Sequence, residues 1–400
     1  MTILLCFYTL QYSHDMPQTT VRLGFHIITD PAMGGGVERW LINTLSSVPH
    51  QFNITVISTG FSDRKRLEKE SQSLKKYNNI KLNLFENKFR FFRKNRIMSF
   101  ILDNFFLPFF LFFTAWYYRI YLKGNDSDIV YLTKNQYWRL FKGKVLMGSS
   151  HTEFHDQGLI NTMKAKLYAS GILYRKISAF HIYPGRDRLK LELGKRAMVM
   201  ELPNGTPEIE CAGFLQEQNI KFLFVGRIEK IKGIEVLING WKMAKVQDRS
   251  TLFIIGSGSV HLSEDNENGI KVLGQVSDQE LHNFYCNSDI FLYPTLWDSF
   301  PYTVIEAMSA GCFIISGSVI RSSFKDAEKQ QAIKFISSNP NSLAEEIRSA
   351  VERISTLRNN REERRKFFIE NYSSTRINEK FFSAMNDLSE KTKIGHMENI

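Results

Sequence analysis

The sequence predicts an α/β protein in which one plan occurs twice: two Rossmann-like domains in tandem, each a parallel sheet with helices on both faces. Three observations carry this. Short apolar runs rich in Val, Ile and Phe alternate with amphipathic stretches at helical spacing, first up to Leu202 and again from Lys221, and strand–helix alternation closes into covered parallel sheets. Glycines stand directly after the first strand of each half, at Gly34-Gly35-Gly36 and at Gly226. The length, 400 residues, is that of two domains.

In the first half, Arg22–Thr29 reads as a strand, VERWLINTLSSV as a helix with Val37, Trp40, Leu41 and Leu45 on one face, and Asn53–Ser58 as the next strand. This is a βαβ opening. Its glycines let backbone approach a ligand, although their spacing is not that of a dinucleotide fingerprint; a tight turn alone is the alternative. Asp128–Leu132 and Lys144–Ser149 are strands, Lys164–Tyr183 a helix and short strand, and Met198–Leu202 a strand. Pro203-Asn204-Gly205 is a turn signal and marks the domain boundary: 1–203 forms the N-terminal domain, 204–372 the C-terminal one, and 373–400 a helix packing back toward the first, then a frayed tail.

In the second half, Lys221–Val225, Leu252–Ile255 and Ile270–Leu273 are strands, with helices over the stretch carrying Ile234, Leu237 and Trp241 and over Gln279–Asn287. Asp289–Thr295 is a buried strand, followed by a helix bearing Val304, Ile305, Ala307 and Met308. Pro301 suits the first helical position, with Ser299 or Asp298 as cap. Gly311 ends that helix and CFII opens another strand. The tail over 341–388 reads as charged helices, with 360–368 partly solvated.

The composition, 43% hydrophobic and 23% charged, is that of a folded globular chain. A net charge of +11 favours an acidic partner: a nucleotide, an anionic membrane surface or nucleic acid, and no nucleic-acid recognition motif is present. Cys6, Cys211, Cys286 and Cys312 lie scattered, which argues against a disulfide framework or zinc site and fits a reducing cytosol. We read no signal peptide in the first 20 residues, and Met16 is an alternative start. The uncharged run Asn104–Tyr118 is too short to cross a bilayer. Two readings of 97–122 stand: buried helices, or an interfacial anchor, with Trp116, Tyr117 and Tyr118 behind the basic Lys88–Arg96 stretch.

The chemistry-bearing residues gather at strand ends. Asp298 and Glu306 bracket a helix start; helical side chains tilt toward the N-terminus, so Glu306 points back toward Asp298. Between them lie free backbone N–H groups and a positive dipole end, which suit phosphate. Arg227 and Lys232 share one strand–helix loop and make a diphosphate clamp. His151 stands just past a strand end, either as a donor to a sugar or as an exposed loop histidine. No metal site is expected: His151 and His155 lack the HExxH pattern, and Asp126-Ser127-Asp128, a DxD, precedes its strand and reads as a solvated turn.

With these residues in place, the chain resembles the family-four retaining glycosyltransferases of GT-B fold, in which two Rossmann-like domains face each other across a cleft. The resemblance rests on VGRIEKIKG (Val225–Gly233), IIGSG (Ile254–Gly258), LGQVSDQELHNFY (Leu273–Tyr285) and YPTLWDSFPYTVIEAMSAG (Tyr293–Gly311), with weaker echoes in GGGVER, His151 and Pro203–Gly205. It implies that Arg227 and Lys232 hold the donor diphosphate, that Glu306 accepts the ribose hydroxyls, that Asp298 and His151 meet the transferred sugar, that Gly35, Gly36 and Gly226 line the cleft, and that backbone N–H groups at Tyr302 and Thr303 bind phosphate. Two departures stand out: Asp298 replaces the family's usual glutamate, and Cys312-Phe313 and Ile320-Arg321 replace its Pro and Gly-Gly.

The resemblance further implies a retaining, metal-independent, cofactor-free hexosyltransferase. It would pass a sugar from a nucleotide-diphosphate sugar to a glycan acceptor, lipid-linked, in surface polysaccharide synthesis (O-antigen, capsule or lipopolysaccharide). It would sit in the cytoplasm, with 88–122 on the inner face of the plasma membrane. The alternatives are a GT-B nucleotide-sugar epimerase and a catalytically silent nucleotide-sugar binder.

Overall fold

The computed structural model describes residues 20–27, 36–58, 80–84, 126–133, 141, 144–149, 176–211 and 218–397. The first half contains β1 (Val21–Ile27), α1 (Gly36–Leu45), β2 (Phe52–Ser58), β3 (Ile80–Leu84), β4 (Ile129–Leu132), β5 (Val145–Ser149), β6 (Ala179–Ile182), α2 (Asp187–Gly194) and β7 (Met198–Glu201). Its seven strands are parallel, in the order β3-β2-β1-β4-β5-β6-β7. Along β1 both the odd set Val21, Leu23, Phe25 and the even residue His26 are buried, because helices cover a parallel sheet on both faces.

The second half contains β8 (Ile220–Val225), α3 (Ile234–Ala244), β9 (Ser250–Ile255), β10 (Ile270–Gly274), α4 (Asp278–Asn287), β11 (Ile290–Tyr293), α5 (Tyr302–Ser309), β12 (Phe313–Gly317), α6 (Lys325–Lys329) and β13 (Ile333–Ile336). These six strands are also parallel, in the order β10-β9-β8-β11-β12-β13. The order runs outward from β8 in one direction and from β11 in the other, so the chain reverses its winding between those two strands. A crevice opens at their carboxyl ends, where ligands bind in sheets of this kind. Four helices follow, α7 (Pro340–Glu352), α8 (Ile354–Asn359), α9 (Arg361–Tyr372) and α10 (Ser374–Met397).

The halves are joined twice. The chain crosses at 204–206 and returns at 372–374, and the crossings are bonded to each other: Thr206 N–H donates to Tyr372 O at 3.1 Å and Ser374 N–H to Thr206 O at 2.9 Å. A Cβ on Gly205 would lie 2.9 Å from Ser374 Cα, so only glycine allows that approach. After the return, α10 packs on the first half. Phe381 stacks on Phe25 at 6.0 Å and meets Trp40 edge-on at 5.8 Å, and Phe382 lies 5.0 Å from Phe52. One apolar cluster therefore runs from the first sheet through α10 into the second. The Asn378 side chain caps this junction, donating to Asn43 O at 2.8 Å.

The two Rossmann-like sheets are those the sequence predicts. Short elements escaped that reading: β3, α2 and β13 are four to eight residues long, too short for a period to declare itself. One expectation is corrected here. Cys211 and Cys286, 75 apart in sequence, form a disulfide; the fold carries the segment after the crossing past the end of α4, a proximity that spacing does not reveal. The 360–368 stretch is a partly solvated helix, as expected: Glu362, Glu363 and Lys366 are exposed, while Arg361 and Arg364 are buried and donate to main-chain carbonyls. The helix expected near the end runs on to Met397. The stretch 88–122 lies outside the described residues. Among those described, no helix is long and apolar enough to cross a membrane.

His181 is buried on β6, its Nε2–H donating to Leu202 O at 3.0 Å while Nδ1 accepts from Tyr131 Oη at 2.7 Å. Burial lowers its pKa to about 4, and that of buried His26 to about 3. Both ordinary values are near 6.5, so the unfolded chain takes up these protons first, and the stability present above pH 6.5 is lost as pH falls toward 4. The loss is on the order of 3 kcal/mol per histidine. Denaturant melts at pH 7.5 and 4.5 should differ by at least that much, and His181→Gln should show a shallower decline. Equal stability at the two pH values would contradict this.

Candidate functional site

The loops after β8 and β11 flank the reversal point of the second sheet, and each delivers one charged group. After β8 the chain makes a short 3-10 turn, Lys230–Lys232, ended by Gly233 in the left-handed region at φ 77°. A Cβ there would fall 1.9 Å from Pro294 O, so glycine alone lets this turn press against the β11 loop. The contact aims Lys232 across the crevice. Its Nζ lies 2.6 Å from Asp298 Oδ2 and 3.3 Å from Tyr293 Oη, and Tyr293 donates to the same carboxylate oxygen at 2.5 Å. The Lys232 side chain is 11% exposed. An ammonium has three donors, and among the described residues two are engaged.

Asp298 is fixed from its other side by Ser299 N–H, at 2.7 Å from Oδ1. Pro301 is not the first helical residue, as the sequence suggested, but the N-cap itself, extended at ψ 127°, and no side chain caps α5. The first N–H groups of α5 thus lack an internal partner and stand as the positive end of the helix beside the Lys232–Asp298 pair. Glu306, one turn further on, is 5% exposed. Its Oε1 lies 2.7 Å from Arg39 Nη1, on α1 of the other half, and its Oε2 accepts from Tyr285 Oη at 3.0 Å. Burial raises the Tyr285 and Tyr293 hydroxyls well above the ordinary phenol range, so both remain donors at neutral pH.

Of the residues singled out in the sequence, Lys232, Asp298, Tyr302, Thr303 and Glu306 come together here, with Gly226 at the end of β8. Arg227 stands in the same loop but turns outward, 63% exposed, with Nη1 2.8 Å from Glu229. Gly36 opens α1, and among the described residues nothing lies within 4 Å of where its Cβ would go. Gly35 and His151 lie outside the described residues. The DxD at Asp126–Asp128 precedes β4, and Asp128 is held by Arg22 at 2.6 Å. Cys312 and Phe313 are absorbed into the core, and Arg321 pairs with Glu328.

Sequence reasoning missed Arg39, Tyr285 and Tyr293. Arg39 lies within GGGVER, but nothing local shows that it reaches a carboxylate 267 positions away. The tyrosines offered one signal: an aromatic ring predicted in the core needs a partner for its hydroxyl.

The Arg39–Glu306 contact bridges the halves and compensates a buried carboxylate. Arg39 is 42% exposed, so solvent screens part of its value. Arg39→Ala should destabilise the chain by about 1 kcal/mol, and Glu306→Gln in addition should cost less than the sum of the single changes. Strict additivity in a double-mutant cycle would dissolve the pair.

Residues 219–353 match the family described as Glycosyl transferases group 1. A Klebsiella pneumoniae protein described as an uncharacterized 41.2 kDa protein in the cps region is 36% identical over 26% of this chain and 29% of its own length. The O-antigen chain mannosyltransferase B of Escherichia coli is 27% identical over 28% of this chain and 32% of its own. The chain therefore matches about a third of the length of these relatives. Among solved structures, Anabaena Alr3699/HepE in complex with UDP superimposes with a TM-score of 0.65 at 13% identity, over 92% of this chain and all of that one. The chain thus has the GT-B fold, and its C-terminal half carries the segment characteristic of group 1 glycosyl transferases.

Proposed function

We propose that this protein transfers a sugar from a nucleotide-diphosphate sugar to a glycan acceptor in surface polysaccharide synthesis. The observation that carries this reading is the meeting of Lys232 and Asp298 from two loops at the reversal point of the sheet, in front of the uncapped start of α5. A lysine, a helix N-terminus and a carboxylate in one half-closed site match the charge sequence of a diphosphate joined to a polyol. The relatives described as a protein in the cps region and as an O-antigen chain mannosyltransferase support the polysaccharide context, and the UDP complex of a neighbour of like fold supports the donor class.

In this reading Lys232 and the N–H groups at Tyr302 and Thr303 hold the diphosphate. Arg227 swings from Glu229 to join them when donor binds. Glu306 accepts the ribose hydroxyls, and Asp298 accepts from the transferred sugar. As charge grows on the departing phosphate oxygen, these fixed donors stabilise it more than they stabilise the bound donor. His151 contacts the transferred sugar or the reacting centre, and Gly35 and Gly36 line the cleft from the side of the first half and help bind the donor. The reaction retains the anomeric configuration and needs no metal. The acceptor is a lipid-linked glycan, and 88–122 meets an anionic membrane from the cytoplasmic side. Residues 1–203 form the acceptor-side domain and 204–372 the donor-side domain.

The test is incubation of the full chain with a panel of nucleotide sugars and glycan acceptors, following release of nucleoside diphosphate. Lys232→Ala should lower turnover by about 100-fold or more, and the exposed Arg227→Ala by less. Chelation should leave the rate unchanged, and the product should keep the donor's anomeric configuration. Full turnover in Lys232→Ala would refute the proposal. Donor converted without any acceptor would point to an epimerase instead.

A further inference from the structure

The far end of the second sheet holds positive charge that the proposed transfer does not use. A pocket of about 260 Å³ opens where β12 and β13 begin, bordered by Phe313 and Ile333. It therefore lies at the amino ends of the strands, opposite the crevice of Lys232 and Asp298. Its volume falls just below that of pockets for drug-sized ligands, which suits a small ion better than a nucleotide. Charged and polar groups line it: Arg364, Arg353, Lys334, Glu328, Thr356 and Asn360.

Arg364 has an unusual environment. It is 4% exposed. Its Nε donates to Gly311 O at 2.9 Å and its Nη2 to Leu357 O at 2.6 Å. Among the described residues, Nη1 has no partner and no carboxylate pairs with the guanidinium. Burial pulls its pKa down to about 10, with Arg361 adding to that effect and the more distant charges of Asp289 and Glu363 opposing it. A buried charge with no carboxylate in direct contact is costly. Two other lining charges are already balanced, Arg353 by Glu346 and Glu328 by Arg321. Lys334, exposed at the rim, makes no direct ion pair among the described residues, although its charge helps hold the Glu328 carboxyl below its ordinary value. Two cations without a direct ion-pair contact thus remain, one buried and one at the mouth, beside a hydroxyl and an amide.

We propose that this pocket binds a small oxyanion, a phosphate group, held by Arg364 and Lys334 and independent of the donor crevice. A guanidinium presents its N–H groups as a planar fork that matches phosphate oxygens, and an ammonium adds a point charge. Thr356 and Asn360 supply further hydrogen bonds. The anion would also bear on the donor domain, because Arg364 grips Gly311, directly after α5.

The experiment is calorimetric titration of the full chain with inorganic phosphate at low ionic strength. It uses a Lys232→Ala background, which removes the lysine of the donor crevice. One phosphate should bind per chain, and Lys334→Glu, an exposed change that leaves the fold intact by circular dichroism, should weaken it at least fivefold. Arg364→Met should abolish binding if that variant folds; the Lys334 arm decides the matter if it does not. No binding in the Lys232→Ala chain, or a loss under fivefold with Lys334→Glu, would overturn the proposal.

Discussion

The ion pair between Lys232 and Asp298 is the contact on which the rest of the site depends. Its partners sit on loops that follow β8 and β11, neighbouring strands that are far apart in sequence. The loops also bond to each other through the backbone, Leu296 N–H donating to Ile231 O at 3.0 Å. Their meeting follows from the reversal of winding between the two strands, and from Gly233, whose missing Cβ lets one loop press on the carbonyl of Pro294. Once joined, the pair fixes where negative charge is tolerated in the crevice, and α5 begins beside it without a side-chain cap. Lysine charge and helix start therefore face the same space.

A second constraint ties that space to the first half of the chain. Arg39 reaches Glu306 from α1, and the two crossings at 204–206 and 372–374 bond to each other, so the halves are joined at the crossings and meet again at this ion pair. Asn204 sits at the crossing, accepting from Tyr183 Oη at 3.0 Å and donating to Phe300 O at 3.0 Å. The loop leading into α5 is thus fastened to β6 of the other sheet through one side chain. A carboxylate and a helix of the crevice both depend on residues from the opposite half, which couples any movement of the halves to the geometry of the site.

Much of this was legible in the sequence. Strands such as Lys221–Val225 and Asp289–Thr295 declare themselves as apolar runs with turn residues at both ends, and the order of glycines, cations and carboxylates after Val225 is specific. The unread parts have physical reasons. Arg39, Tyr285 and Tyr293 act through contacts whose partners lie on other elements, and sequence spacing carries no record of them. The Cys211–Cys286 bond joins the segment after the crossing to the last residues of α4, a proximity produced by tertiary packing alone. Arg361 and Arg364 look like surface charges because charge usually is solvated. Here the carbonyls at the ends of α4 and α5 take the place of water.

A crystal structure of the chain with a nucleoside diphosphate would test the central claim most directly. Phosphate oxygens within hydrogen-bond reach of Lys232 Nζ and of the first N–H groups of α5, with the ribose hydroxyls on Glu306, are the expected result. Phosphates bound away from both Lys232 and the start of α5 would contradict it.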